Sequence, residues 1–140
     1  MTTPVPSWTY EAALLRVIDG DTLEVSVDCG FCVHVVTSVR LFGLNCAEHA
    51  TPAGEAATAY TTEWLAKISV LVIVSAKPRT YGDKYGRWLA TVYGNDRCLN
   101  DDLIAAGYAI AWNGKGPKPV PPPLPAPTPA PAAGRTRRHA

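Results

Sequence analysis

No run of apolar residues in this chain is long enough to cross a membrane as a helix. The first residues, Met1 to Pro6, also lack the basic and apolar regions of a secretory signal peptide. We therefore expect an intracellular protein that makes no membrane contact and keeps its thiols reduced. The cysteines concerned are Cys29, Cys32, Cys46 and Cys98.

Several common catalytic motifs are missing as well. The chain has no phosphate-binding Walker loop, no His-Glu-x-x-His zinc motif and no Gly-x-Ser-x-Gly nucleophile elbow. Any catalytic chemistry must therefore come from a different set of side chains.

Acidic residues are absent from the C-terminal part of the chain, although the net charge of the whole is only +1. From Gly114 onward the sequence has five basic residues, nine prolines and no acid. The first 113 residues carry eight Lys and Arg against twelve Asp and Glu, a net charge of −4. Such an acidic core is unusual for tight non-specific binding of nucleic acid, which depends on neutralising phosphates. It is easier to explain if several carboxylates hold a metal ion and the basic tail adds affinity.

The length of 140 residues is that of a single domain with appendages. We expect residues 1–8 to be a flexible lead-in and residues 9–113 to form the domain. Residues 114–140 are too rich in proline to pack a core, so we expect a disordered tail that could bind a partner.

Alternating apolar residues predict strands over much of the domain. Asp19-Gly20 and Cys29-Gly30 are typical of turns between strands, and Gly43 permits a bend near the end of a long strand. The predicted strands lie within residues 13–18, 23–27, 32–44, 68–74 and 88–93.

Two helices are predicted from the residues at their ends. Thr51 is typical of an N-cap, and Pro52 is typical of the first helical position. A second, short helix is expected from Asp101 to Ala106, with Asn100 as its cap and Gly107 at its end.

Short pieces of sequence, far apart in the chain, carry charges that suit cleavage of a phosphodiester. They provide a carboxylate for a hard metal ion, a second carboxylate to act as base, and two arginines to hold a phosphate. The pieces are Asp19-Gly20-Asp21-Thr22, Arg40, Asn45-Cys46-Ala47-Glu48, Asp83-Lys84-Tyr85-Gly86-Arg87 and Asn100-Asp101-Asp102-Leu103. In order and spacing they resemble the staphylococcal nuclease-like family. The resemblance implies a five-stranded OB-type β-barrel with at least two packed helices, an α+β fold, and we expect a monomer.

The resemblance also implies a calcium ion, with Asp21 as a ligand and Asp19 in the outer shell. Asn45 and the backbone carbonyl of Cys46 would be further oxygen donors. The family commonly reads Asp-Thr-Pro-Glu where this chain has Asn45-Cys46-Ala47-Glu48. Asn45 removes one formal charge, so we expect weaker or altered metal binding. Taken alone, Asp19-Gly20-Asp21 is more often an ordinary turn.

Three residues match the catalytic groups of the family. Arg40 and Arg87 match the arginines that stabilise charge gathering on the phosphoryl oxygens. Glu48 matches the general base, which orients and deprotonates the attacking water. Without the resemblance, a lone strand arginine and an exposed glutamate are more often solvated surface.

Three further residues match positions that bind substrate. Lys84 and Tyr85 correspond to residues that touch a neighbouring phosphate. Trp112 lies close to an aromatic position that borders the base, where stacking is physically reasonable. Equally, a tryptophan at this place in the chain could be a lid on the core.

The spacing of Cys29 and Cys32, with His34 nearby, offers an alternative metal site. A CxxC pair can form half of a structural zinc site. A second closely spaced pair is absent from the sequence, because Cys46 and Cys98 stand alone. Cysteines in a hairpin, without a metal, are therefore the expected state.

Two functions are compatible with these residues. The first is a Ca²⁺-dependent endonuclease that hydrolyses DNA and RNA with little sequence preference and, as the resemblance implies, leaves a 3′-phosphate. The second is a catalytically weak OB-fold module that binds single strands. The combination of Asp21, Arg40, Glu48 and Arg87 favours the enzyme, because a simple binder needs no carboxylate facing a phosphate. Asn45 favours the binding module.

Overall fold

Eight strands and two helices make up the computed structural model, which describes residues 1–75, 88–112 and 117–121. In chain order the elements are β1 (Thr9–Asp19), β2 (Thr22–Asp28), β3 (His34–Leu41), β4 (Leu44–Cys46), α1 (Pro52–Ala66), β5 (Leu71–Ser75), β6 (Trp88–Gly94), β7 (Arg97–Cys98), α2 (Leu99–Ala105) and β8 (Ala109–Ala111).

Five of the strands close into a mixed barrel in the order β3-β2-β1-β5-β6. Neighbours along this order are antiparallel, and parallel pairing of β3 with β6, from Val39 opposite Trp88 to Leu41 opposite Ala90, closes the barrel. The α+β barrel predicted from the sequence is thereby confirmed.

Alternation of side chains along β2 explains how the barrel core forms. Leu23, Val25 and Val27 point inward and are buried, whereas Glu24 and Ser26 between them are only half-buried. This period of two is that of a strand with one face on a core. At about 25 cal/mol per Å² of buried apolar surface, such rows supply most of the favourable free energy of folding.

The long strand predicted for residues 32–44 is interrupted in the structure. Gly43 adopts φ +86°, a left-handed conformation that costs glycine little. The chain therefore turns at Phe42-Gly43, so that β3 ends and β4 begins a separate two-stranded sheet with β8. The strand predicted at 68–74 also begins later, because β5 starts at Leu71.

Helix α1 begins as the sequence predicts. The side chain of Thr51 accepts a hydrogen bond from the Gly54 N–H, and Pro52 occupies the first turn, where it has no N–H to leave unpaired. The buried face of α1 lies against the barrel and consists of Gly54, Ala57, Thr61 and Leu65.

The predicted cap of α2 was wrong. The N-cap is Cys98, without a side-chain hydrogen bond, and Asn100 lies inside the helix. Its buried amide accepts from Val92 N–H at 3.0 Å and donates to the carbonyl of Phe42 at 2.9 Å. Asn100 thus joins β6 to the turn after β3. Its amide oxygen pairs a backbone N–H of β6, and its amide nitrogen pairs a backbone carbonyl of the turn.

The hairpin between β2 and β3 carries exposed Cys29 and Cys32. Within the described ranges, no three His, Cys, Asp or Glu side chains gather closely enough to hold a metal ion. The described part of the chain therefore adds no ligand to this pair.

None of the helices in these ranges is both long and apolar enough to span a bilayer.

Candidate active site

Asp19, Gly20 and Asp21 form the tight connection between β1 and β2, and helix α1 holds this connection in place. The Thr61 hydroxyl donates a buried hydrogen bond to the Gly20 carbonyl at 2.8 Å. A side chain at Gly20 would overlap the Cβ of Ala57 on the same helix. The close approach of α1 therefore requires glycine between the two aspartates.

The Asp21 carboxylate is buried, with only 5% of the residue exposed, and is held from three sides. Oδ1 accepts a hydrogen bond from the Thr22 hydroxyl at 3.1 Å, and Oδ2 accepts from the Cys46 N–H at 3.0 Å. Oδ2 also lies 3.4 Å from Nη2 of Arg40. Because a buried carboxylate is costly unless it is paired and hydrogen-bonded, these contacts offset the cost of burying Asp21 and fix its orientation.

Arg40 and Asn45 face each other across the turn between β3 and β4. Nη2 of Arg40 donates to Oδ1 of Asn45 at 2.7 Å, and each residue is 7% exposed. The same guanidinium lies 5.8 Å from the centre of the Trp112 ring. Arg40 is therefore not a solvated strand arginine but a buried cation held by an acid, an amide and an aromatic face.

Glu48 lies on the exposed stretch between β4 and α1, and the start of α1 fixes its backbone. Its carbonyl accepts from the Thr51 hydroxyl at 2.7 Å and from the Thr51 N–H at 3.0 Å. A Cβ on Gly54 would overlap that carbonyl group. Glycine in the first turn of the helix thus allows the backbone of Glu48 to lie against α1.

One open cavity of about 330 Å³ brings together five of the seven predicted site residues that lie in the described ranges, the exceptions being Asn45 and Trp112. Its lining is Asp19, Asp21, Arg40, Cys46, Ala47, Glu48 and Lys118. The cavity combines acids and cations that are remote in sequence, which is the arrangement that a reaction on a charged substrate requires.

Burial and the neighbouring acids together shift the pKa values of two groups in the cavity. Burial, and then the adjacent Asp21 carboxylate, raise the pKa of Asp19 from 3.8 to about 6. Burial, and then the same aspartates, raise the pKa of the Cys46 thiol. Acids this close together favour a bound proton or cation, and a thiol that stays protonated is a poor metal ligand.

The donor chemistry fits a hard cation such as Ca²⁺. Asp19 and Asp21 offer carboxylate oxygens and Asn45 an amide oxygen, which are ligands of the type that Ca²⁺ takes. The Asn45 oxygen already accepts from Arg40, which leaves it one further lone pair. Because no cluster of three ligating side chains occurs in the described ranges, a cation here would also need backbone, water or substrate oxygens.

Several predicted residues lie elsewhere or outside the described ranges. Lys84, Tyr85 and Arg87 fall within 76–87, which the structure does not describe. Trp112 is half-buried beside Arg40, and its backbone N–H donates to the Gly43 carbonyl at 2.8 Å. Its proposed contact with a base stays a prediction.

Sequence reasoning missed the residues that support the site from α1. Gly54 and Thr61 are not among the residues that line the cavity. In the sequence, only a glycine in the first turn of a helix indicates a close approach. It also missed Lys118, because a lysine in a proline-rich segment carries no signal of where it lies.

A small mixed barrel with an acidic, arginine-containing cavity at the strand ends defines an OB-type domain with a candidate phosphate-handling site. The sequence matches the model of the family described as staphylococcal nuclease homologue over residues 38–119. Since the match covers more than half of the chain, this protein belongs to that family. The matched range includes Arg40, Asn45 and Glu48, whereas Asp19 and Asp21 precede it. A search of curated proteins returned no match.

Proposed function

We propose that this chain is a metal-dependent nuclease that hydrolyses phosphodiester bonds in DNA and RNA with little sequence preference. The observation that carries the proposal is the shared cavity, in which two acids, a buried arginine and the exposed Glu48 face the same space. Family membership adds independent support, because the family is one of nuclease homologues.

Glu48 is the proposed general base. It is exposed at the mouth of the cavity, where a water molecule can reach its carboxylate. A base in this position takes a proton from the attacking water as the water approaches phosphorus. The fixed carbonyl of Glu48 limits the positions that its side chain can reach.

Arg40 is the proposed stabiliser of the charge that develops on the phosphoryl oxygens. One edge of its guanidinium is fixed by Asn45 and Asp21, so little reorganisation is needed when charge develops. Arg87, which lies outside the described residues, is the second arginine that we propose for this role. Lys84, Tyr85 and Trp112 are the proposed contacts to the rest of the substrate.

Asp21, Asp19, Asn45 and the Cys46 carbonyl are the residues that we propose would hold Ca²⁺. When bound there, the ion would supply positive charge next to a phosphoryl oxygen. The chain's own part is to hold the carboxylates in place, which the Thr22 hydroxyl and the Cys46 N–H do for Asp21.

A binding module without catalysis is the second candidate. The observation that favours it is the Asn45 oxygen, which is neutral and already committed to Arg40 at 2.7 Å. Affinity for Ca²⁺ falls as ligand charge is removed. Such a barrel would still bind single strands through Arg40 and Trp112.

Cleavage of a labelled single-stranded DNA in Ca²⁺ and in excess chelator separates the two candidates. We expect fragments only with Ca²⁺, and none from Asp21→Ala, while the exposed-acid control Glu11→Ala cleaves like the wild type. Fragments of equal amount in chelator would contradict the metal requirement. Binding without fragments under any condition would favour the binding module.

A further inference from the structure

A short segment of the proline-rich region lies against the barrel beside the candidate active site. We call residues 117–121 the strap. The Pro119 carbonyl accepts a hydrogen bond from Nδ2 of Asn45 at 2.9 Å, and Pro121 is buried. Nζ of Lys118 lies 5.9 Å from the centre of the Trp112 ring. The hydrogen bond and the contact between Lys118 and the Trp112 ring therefore join the strap to the barrel.

The chemistry of Asn45 suits this attachment. Its oxygen accepts from Arg40, and its amide nitrogen donates to the Pro119 carbonyl. An arginine can only donate and a carbonyl can only accept, so the two partners fix the orientation of the amide. An aspartate could accept from Arg40 but could not donate to Pro119. Asparagine at this position is thus the residue that can join the strap to the arginine.

Lys118 carries a positive charge into the lining of the cavity. It shares that lining with Asp19, Asp21, Arg40 and Glu48. Arg40 is balanced by Asp21 at 3.4 Å, whereas no carboxylate in residues 1–75, 88–112 and 117–121 forms an ion pair with Lys118. If the Lys118 ammonium took the place of a metal ion, it would form ion pairs with Asp19 and Asp21. Lys118 instead lies over the Trp112 ring, and an incoming phosphate would have no carboxylate of the described residues to displace from it.

We propose that the strap is a second phosphate-binding element, in which Asn45 fixes the backbone and Lys118 contacts a phosphate next to the one at Arg40. This inference rests on the proposed function, since it assigns the substrate at least two phosphates. A polynucleotide strand fits this requirement, and a nucleotide with a single phosphate does not. The strap would add affinity without taking part in bond cleavage.

The first test compares Lys118→Gln with Lys115→Gln, which removes the same charge from the same basic region. Affinity for a fluorescent single-stranded DNA octamer is measured in chelator across a salt series, so that no cleavage is needed. We expect Lys118→Gln to weaken binding about three- to tenfold and to lower the salt slope by about 0.7, one phosphate contact to a single strand. Lys115→Gln should match the wild type.

Three results would overturn the proposal. Tighter binding or faster cleavage by Lys118→Gln would show that the strap obstructs the site. Equal losses in both lysine variants would show general attraction by the basic tail. Wild-type affinity in Lys118→Gln would remove the contact altogether.

The second test asks whether Asn45 holds the strap. In the Asn45→Asp background the donor to Pro119 is gone, so Lys118→Gln should weaken binding no further. A loss as large as in the wild-type background would contradict the attachment. In this double-mutant cycle, the effect on binding of the charge that Asn45→Asp adds is the same in both arms and cancels.

The outcomes also separate this inference from the proposed nuclease. Binding in chelator that depends on Lys118, in a protein that never cleaves, would support the strap and contradict the nuclease. Cleavage that is unaffected by Lys118→Gln at low substrate concentration would do the opposite.

Discussion

The Thr61 hydroxyl on α1 donates a buried hydrogen bond to the Gly20 carbonyl at 2.8 Å. Forty-one positions of sequence separate the two residues, and the bond fixes the backbone between Asp19 and Asp21. The helix thus has a direct part in placing both carboxylates, although it supplies neither.

Replacing Thr61 by valine keeps the shape of the side chain but leaves the Gly20 carbonyl unpaired. We expect a loss of about 1–3 kcal/mol in the free energy of unfolding, the usual cost of a buried unsatisfied group. Thr62→Val is the matched control, since that exposed hydroxyl donates to the Thr58 carbonyl of its own helix. Its effect should stay within about 0.5 kcal/mol. Urea unfolding of the two variants decides, and equal losses would contradict the role of Thr61.

Arg40→Lys keeps the positive charge but replaces the planar guanidinium, which can donate two parallel hydrogen bonds, by an ammonium group. If Arg40 stabilises the transition state, kcat should fall by about 10²–10³-fold, with a smaller change in KM. Arg16→Lys, at an exposed arginine that pairs with Glu24, is the control. Steady-state cleavage kinetics check this, together with thermal unfolding of each variant. A change in KM alone would make Arg40 a binding contact.

Gly54→Ala tests whether close approach of α1 positions Glu48. The added Cβ would overlap the Glu48 carbonyl. We therefore expect the free energy of unfolding to fall by about 1–3 kcal/mol, despite the better helix propensity of alanine. Cleavage should fall well below wild type at temperatures where the variant is folded. Ala59→Gly, at an exposed position of α1, should cost about 1 kcal/mol through propensity alone and leave the cleavage rate unchanged. Similar rates in both variants would contradict the positioning role.

The pair of contacts at Asp102 predicts a dependence of stability on pH. Despite some burial, which acts the other way, hydrogen bonds from Arg97 and Trp64 lower the pKa of Asp102 below its usual 3.8. A lowered native pKa stabilises the fold above about pH 4, and this contribution disappears as pH falls through the native value.

Asp102→Asn should therefore be less stable than the wild type by about 1 kcal/mol at pH 7, with the difference shrinking below about pH 4. Asp101→Asn removes the same charge from the first turn of α2 and controls for the helix dipole. Thermal unfolding from pH 7 to pH 3 measures both. A difference for Asp102→Asn that is constant with pH would contradict the assignment.

Local sequence rules predicted the strands because the strands obey them, whereas the closed barrel was implied by the family resemblance. The inward row Leu23, Val25 and Val27 alternates with polar residues, and Thr51-Pro52 caps α1 as expected. Short-range signals of this kind depend only on neighbouring residues. Where a side chain serves a distant partner, the rules failed: Asn100 was expected to cap its own helix but bonds across to β6 and the turn after β3.

The candidate site shows the same division. Asp21, Arg40 and Glu48 were predicted from motif and resemblance, and the structure brings them to one cavity. The supports from Thr61 and Gly54, and the strap contact at Asn45, depend on pairing between remote segments. Sequence spacing contains no information on such pairings until the topology is known.

The central claim is that Glu48 acts as the base in a phosphodiester hydrolysis within this cavity. The most direct test is the single-turnover rate of DNA cleavage by Glu48→Gln in saturating Ca²⁺, measured beside its affinity for the same DNA. The account predicts a rate lower by at least about 10²-fold with an affinity close to that of the wild type. Cleavage by Glu48→Gln at the wild-type rate would contradict it.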